Sequence, residues 1–551
     1  MFGNPDRRIR VILFSFIILF ALVAARAVFL QTVSADVLAE MAAEQHVQQV
    51  DLPARRGTIF DRNGTELAVG QEMKTIFANP QQIDDPLAAA AQLAPLLKVD
   101  QAELLEKLSN RESGFEYLAR KVQPEVAAEV EALKIPSVGF LSEEQRVYPQ
   151  GHLAAQVIGF AGTDNTGLAG MELQLDGALM GTGGRQRVVT DAGGNQIEML
   201  SLEEGARGKD VYLTIDNPIQ YEAEKVLAET VKKTGAKGAM AIVMDPRSGE
   251  IYAMANVPTA NANNFDSTPD ELRRNRTVTD TYEPGSVFKA VTAAAGLEDG
   301  AVAPGQTFYL PPALELGGYT IEDAYQRGAV DWDLGQIIEH SSNIGTVTVA
   351  MRVGAGRLNY WIHQFGFGRT TGIDFPGEVV GIVEPPETWS ESSIGNIPIG
   401  QGISVTPIQM ASAYAAIANG GVAVTPHLVK SVDGEPAELE PGTRVISEAT
   451  AEHLAHYLGR VVDGEGAPLA RVEGYSVAGK TGTAQKPTPD GGYTDGIYIG
   501  TFVGYVPAGS PELLVMVVVD EPGEGGGGAT VAAPAFQRIT EFSLRRLKIS
   551  P

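Results

Sequence analysis

At 551 residues the chain has room for roughly three to four folding units, and 44% hydrophobic with 20% charged residues describes a globular protein, not a collagenous, disordered or wholly membrane-embedded one. Lys+Arg 42 against Asp+Glu 68 leaves a net charge of −26, which opposes contact with a phosphate backbone and argues against nucleic acid as a partner. The absence of cysteine excludes disulfides, zinc-thiolate sites, iron–sulfur clusters and a thiol nucleophile.

Arg7, Arg8 and Arg10 precede an uncharged, almost wholly apolar run from Val11 to Ala25. Carried through Leu30, this run makes a helix about 30 Å long, which matches the hydrocarbon thickness if Arg26 snorkels to the headgroups. No second run of that length follows. The positive-inside rule then gives a cytoplasmic tail at 1–10, a single-pass transmembrane helix at 11–30 and an extracytoplasmic remainder. The rival reading is a cleaved signal peptide, because Ala25-Arg26-Ala27 offers a small-residue cleavage site. Either way the working part lies outside the cytoplasm, where ATP and nicotinamide cofactors are not ordinarily available.

Residues 31 to about 50, rich in Ala, Glu and Gln, read as a helix leaving the membrane. Gly57 to Val69 then reads as two short strands around Asn63-Gly64, a pair that favours the type I′ turn. Residues 87 to 135 carry helical spacing, as at Leu104, Leu105 and Leu108, so 31–216 is expected to be an α+β pedestal or dimerisation-type domain. A second domain, 217–551, opens with an amphipathic helix over Asn217 to Lys233 and a hairpin of Ala239–Asp245 and Glu250–Asn256. Near its end, Ile497–Val506 and Glu512–Asp520 read as strands, Gly523 to Gly528 as a flexible loop and Ala532–Ile549 as a helix. The expected fold of this domain is an antiparallel sheet flanked by helices.

The strongest local feature is Glu283-Pro284-Gly285-Ser286-Val287-Phe288-Lys289, followed by an Ala-rich helix-forming run. Residues three apart on a helix share a face, so Lys289 is expected to bring its amine beside the Ser286 hydroxyl and, if neutral, to take its proton. A free lysine near pKa ~10.4 is a poor base, so burial or a nearby cation must depress it. Ser341-Ser342-Asn343 and Lys480-Thr481-Gly482-Thr483 follow in that order, the order of the active-site serine enzymes that react with penicillin.

With these three motifs the chain resembles the class B penicillin-binding proteins, monofunctional peptidoglycan D,D-transpeptidases with one N-terminal anchor. The likeness runs over nearly the whole chain and includes Arg56 to Gly64, Leu213-Thr214-Ile215-Asp216, Gly400-Gln401-Gly402 and Phe502-Val503-Gly504-Tyr505. Tyr282-Glu283-Pro284-Gly285-Ser286 is closer to the division, or septal, type than to the elongation type. The resemblance implies that Ser286 attacks the penultimate D-alanine carbonyl of a stem peptide with Lys289 as base, that Ser341 relays a proton to the leaving amine, and that Asn343 holds substrate amides. It implies that Lys480 lowers the proton affinity of its neighbours and attracts the substrate carboxylate, which Thr481, Gly482 and Thr483 help to bind. Backbone N–H groups of Ser286 and Thr483 would form the oxyanion hole. No cofactor or metal is implied. The implied partners are peptidoglycan stem peptides, β-lactams, a polytopic glycan-polymerising membrane protein and division-complex proteins.

A D,D-carboxypeptidase or serine β-lactamase uses the same motifs, and a penicilloyl-type sensor binds without turnover. No Glu-x-x-Leu-Asn segment lies between Ser341 and Lys480 to supply a deacylating carboxylate, and the cytoplasmic tail is too short to signal by itself. Gly474 to Thr481 satisfies the P-loop pattern in full, but Gly482, Pro487 and Pro489 fall where the phosphate-binding helix would run, so the stretch reads as a strand. His453 and His456 lack a third ligand nearby and read as helix-surface residues.

Overall fold

The computed structural model describes residues 5–32, 47–52, 54–190, 196–487, 492–523 and 526–551. A helix at Pro5–Thr32 contains the 23-residue apolar stretch Ile9–Gln31, whose most apolar 18-residue window has mean hydropathy 2.7 and is not buried, long and apolar enough to cross a membrane. Most of the helix expected after it, at 33–46, lies outside the described residues. Val47–Leu52 is a strand instead, because its backbone pairs antiparallel with Gly184–Thr190, and ladder pairing outweighs local helix propensity.

Two compact units form, and neither is continuous along the chain: one takes 1–55, 71–145 and 181–207, the other 56–70, 146–180 and 208–551. In the first, Val47–Leu52, Gly184–Thr190 and Gln196–Glu203 make a three-stranded antiparallel sheet. Its helices Pro86–Leu97, Gln101–Ser109 and Pro124–Ala132 contribute Leu93, Leu104, Leu108 and Val130 to a core with Ile76 and Leu118.

The second unit holds the larger core. Its elements include α1 (Asn217–Thr234), β1 (Gly238–Met244), β2 (Ile251–Val257), α2 (Lys289–Glu298), α3 (Asn343–Val353), α4 (Pro407–Ala418), β3 (Ala478–Pro487), β4 (Tyr493–Val506), β5 (Leu513–Asp520) and α5 (Ala533–Leu547). The strands form one antiparallel sheet in the order β2-β1-β5-β4-β3, which leaves β3 at an edge. β1, β2 and β5 are buried along their whole length, so apart from buried Asn256 and Asp520 they read as apolar runs without alternation. α1 starts at Asp216, whose side chain accepts from Ile219 N at 3.3 Å. α4 starts with a capping box between Thr406 and Gln409.

The Asn63-Gly64 turn departs from type I′. Only Gly64, at φ +89°, is left-handed, because the Asp61 carboxylate takes the Asn63 and Thr65 N–H groups, both at 2.8 Å, and sets an Asx-stabilised turn. Asp61 and Asn63 also reach the start of α1, through Asn217 N at 3.2 Å and Asp216 Oδ2 at 3.0 Å. Nearby, buried Arg56 donates to Glu172 and Asp176, both at 2.7 Å, while Arg146 holds the other Glu172 oxygen at 2.6 Å. Arg56→Ala leaves a buried carboxylate short of a partner and is expected to cost about 3–5 kcal/mol, read as a lower urea midpoint.

Candidate active site

Ser286 lies in the 3₁₀ turn Gly285–Phe288 that leads into α2. That turn is fixed from outside. Gly285 N donates to Gly400 O at 2.9 Å, Tyr414 on α4 donates its hydroxyl to Val287 O at 2.8 Å, and Thr292 Oγ1 donates to Pro398 O at 2.8 Å. Gly400 sits at φ +82°, and a Cβ there would fall 2.2 Å from Gly285 O. Gly400→Ala is therefore expected to destabilise by about 1–3 kcal/mol and to slow acylation by displacing the Ser286 backbone, a pairing of effects that thermal melts and penicillin labelling will read together.

Lys289 is fully buried. Its Nζ donates to Ser341 O at 2.5 Å and Asn343 Oδ1 at 2.6 Å, with Ser341 Oγ at 3.3 Å. The motif residues Lys289, Ser341 and Asn343 are thus brought together. The helical spacing predicts an amine on the Ser286 side of the turn, and the hydrogen bonds of Lys289 run to Ser341 and Asn343. A four-carbon stem does not fix its head by spacing, and buried carbonyl oxygens compete strongly for the N–H groups. A neutral amine has two N–H donors and one lone pair, so with the donors held by Ser341 O and Asn343 Oδ1 the lone pair faces the Ser341 hydroxyl at 3.3 Å, the one of the three contacts that can rotate away for an incoming proton. Burial, then the charge of Lys480, push the Lys289 pKa well below its usual value, and Asp323 partly offsets them.

Ser341 adopts φ +53°, the left-handed region that non-glycine residues seldom occupy. Ser342, the next residue, caps α3 by accepting from Gly345 N at 2.9 Å and donates to Asp323 Oδ2 at 2.9 Å. Asn343 uses both ends of its amide, since Nδ2 donates to Glu322 O at 2.8 Å.

Lys480 stands on edge strand β3, buried, and burial lowers its pKa to about 7. Alternation along β3 buries Lys480, Gly482 and Ala484 while Thr481 and Thr483 are more exposed. Gly482 and Ala484 lie against the Ser286 turn: a Cβ on Gly482 would meet Pro284 O at 2.9 Å, and one on Gly285 would meet Ala484 Cβ at 3.2 Å. Residues after Lys480 continue as strand, as the prolines of the P-loop-like stretch predict. Within the run read as a flexible loop, Gly528 N donates to Thr483 Oγ1 at 3.0 Å, so its described part packs on β3; residues 524 and 525 lie outside the described residues. The glycine content was the available signal, because at Gly528 a Cβ would fall 2.3 Å from Gly482 O and 2.4 Å from Thr501 O.

Residues 239–541 match the penicillin binding protein transpeptidase domain, and residues 51–213 match the penicillin-binding protein dimerisation domain. The chain is a class B penicillin-binding protein. Penicillin-binding protein PbpB of Mycobacterium tuberculosis is 36% identical over 96% of this chain and 84% of its own. Peptidoglycan D,D-transpeptidase FtsI of Escherichia coli is 33% identical over 96% of this chain and 90% of its own. The crystal structure of penicillin binding protein 3 from Mycobacterium tuberculosis complexed with ampicillin superposes with a TM-score of 0.73 at 31% identity, covering 91% of this chain and 98% of that one. This penicillin-binding protein is by family a serine-type peptidoglycan D,D-transpeptidase with the expected transpeptidase fold and dimerisation domain.

Proposed function

We propose that Ser286 is the nucleophile of peptidoglycan crosslinking and Lys289 its general base. The carrying observation is the buried Lys289 amine, whose two N–H groups are engaged by Ser341 O and Asn343 Oδ1 so that, when neutral, its lone pair is turned to the Ser341 hydroxyl side and available to take a proton. As Ser286 Oγ bonds to the penultimate D-alanine carbonyl carbon, its proton passes to Lys289 Nζ. The oxyanion is met by the N–H groups of Ser286 and Thr483. Collapse breaks the C–N bond, and the proton reaches the terminal D-alanine amine through Ser341. An acceptor amine from a second stem peptide then repeats the addition, returns its proton through Lys289 and frees Ser286. Charged Lys480, with Thr481, Gly482 and Thr483, receives the substrate carboxylate, and the remaining N–H of Asn343 Nδ2 serves a substrate carbonyl.

In the cell, the helix within Ile9–Gln31 anchors the chain with its N-terminus cytoplasmic and the catalytic unit outside. The division into tail 1–10, anchor 11–30, pedestal 31–216 and transpeptidase module 217–551 belongs to the same reading, supported by the matched segments 51–213 and 239–541. A division role, with a polytopic glycan-polymerising protein and division-complex proteins as partners, is part of the same proposal and rests on the likeness of residues 282–286 to the division type.

Two experiments test this. Uncrosslinked glycan strands incubated with the detergent-solubilised chain should yield crosslinked product with one D-alanine released per crosslink; release without crosslinks identifies a carboxypeptidase. Because the chain lacks cysteine, Asn4→Cys and Ser550→Cys report topology cleanly. A membrane-impermeant maleimide on intact cells should label only Ser550→Cys, and labelling of Asn4→Cys would reverse the orientation.

A further inference from the structure

Asp323 lies outside the three motifs, after the short hairpin of Leu314–Leu316 and Tyr319–Ile321. It nonetheless grips the middle motif. Ser342 Oγ donates to its two oxygens at 3.0 and 2.9 Å, and Ile344 N donates to Oδ1 at 3.1 Å. The adjacent Glu322 O accepts from Asn343 Nδ2 at 2.8 Å. Arg327 closes the other side: Nε donates to Asp323 Oδ2 at 2.7 Å, and Nη2 lies 2.6 Å from the same oxygen as an ion pair without hydrogen-bond geometry. Arg327 is in turn fixed by the carbonyls of Leu310, Pro311 and Gly328 and lies over the Trp332 ring. The Asp323 side chain is 9% exposed, so these bonds form largely out of water, where charge-assisted hydrogen bonds are strong.

Such a hold has a purpose. Ser341 is in a left-handed conformation that persists only where the surroundings over-determine it. Both short hydrogen bonds of the Lys289 amine end on this turn, at Ser341 O and Asn343 Oδ1. A turn that relaxed would carry both acceptors away from the amine. We propose that Asp323 is a positioning residue of the active site: its carboxylate, through Ser342 and Ile344, fixes the Ser341-Ser342-Asn343 turn in the geometry that holds Lys289 ready to take the Ser286 proton. The inference rests on the assignment of Ser286 and Lys289 made above.

Two charges bear on Lys289, Lys480 from β3 and Asp323, with Arg327 paired to the latter. Lys480 disfavours the Lys289 ammonium, whereas Asp323 favours it. Loss of the Asp323 charge therefore lowers the Lys289 pKa further, enlarges its neutral fraction at a given pH and moves the acid limb of acylation to lower pH. Loss of the Ser342 hydroxyl weakens the hold and leaves that charge in place.

The test is the second-order rate of acylation by a fluorescent penicillin against pH, using the full chain in detergent, for the parent, Asp323→Asn, Ser342→Ala and Ser286→Ala. Asp323→Asn should be slower by ~10- to 100-fold at its optimum, the range expected of a misplaced reacting group, with its acid limb at lower pH. Ser342→Ala should be slower by ~10-fold with the parent's acid limb. A folded Asp323→Asn acylated at the parent's rate overturns the proposal. If Asp323→Asn does not fold, Ser342→Ala decides, and a rate equal to the parent's overturns it. Labelling of Ser286→Ala would instead overturn the assignment of the nucleophile, so the two failures are distinguishable.

Discussion

Ser286→Ala is expected to form no covalent adduct with a β-lactam and no crosslinks, a loss on the order of 10⁴-fold or more, because the nucleophile is the one group whose role water cannot fill at the acyl-enzyme stage. The change is small and the site is only half-buried. The turn is set by Gly285, Val287 and Thr292 through bonds that do not involve the Ser286 side chain. Thermal unfolding should therefore stay close to that of the parent, which separates lost chemistry from lost structure. Measured together, a normal melt and no label support Ser286, and persistent label on the variant rejects it.

The second large effect concerns Lys480. On the proposed assignment of Lys289 as base, acylation needs its amine neutral, and its lowered proton affinity owes most to burial and then to the charge of Lys480. Lys480 itself loses its proton at about pH 7 because it is buried. The rate of acylation of the free enzyme should thus be bell-shaped in pH. Its acid limb marks the loss of the Lys289 proton, and its alkaline limb, near pH 7, marks the loss of the Lys480 charge. Lys480→Met keeps an apolar stem in the buried site and removes the charge. Without that repulsion the Lys289 pKa rises, so the acid limb should move to higher pH, the alkaline limb should vanish, and the optimum rate should fall by ~10²- to 10³-fold. An acid limb that stayed in place would show that the two lysines do not communicate. The shift is opposite in sign to that expected of Asp323→Asn, so the pair of variants brackets the electrostatics of Lys289.

Much of this was legible in one sequence because the signals were local. The hairpin expected at Ala239–Asp245 and Glu250–Asn256 forms at Gly238–Met244 and Ile251–Val257, since apolar runs, interrupted only at Asn256, flank a Pro-Arg-Ser-Gly turn. The helices expected at Asn217 to Lys233 and Ala532–Ile549 form at Asn217–Thr234 and Ala533–Leu547, each with proline in its first turn. What the residues could not disclose was long-range. Asp323 has no motif of its own and acquires its role only when the chain folds back on Ser342. Gly400 acquires its role from the approach of Gly285, 115 positions away in number but 2.2 Å from a Cβ placed on Gly400. The partners of Lys289 were hidden for a different reason. Spacing places a backbone, whereas the head of a long side chain goes where buried oxygens and charge direct it. A compact unit assembled from 56–70, 146–180 and 208–551 likewise leaves no trace in the order of one chain.

The most direct test is intact-protein mass spectrometry of the chain after exposure to a penicillin, followed by mapping of the modified peptide. The account predicts one drug mass added per chain, long-lived, and located on Ser286. An adduct on any other residue, or rapid loss of the adduct with hydrolysis of the drug, would contradict it.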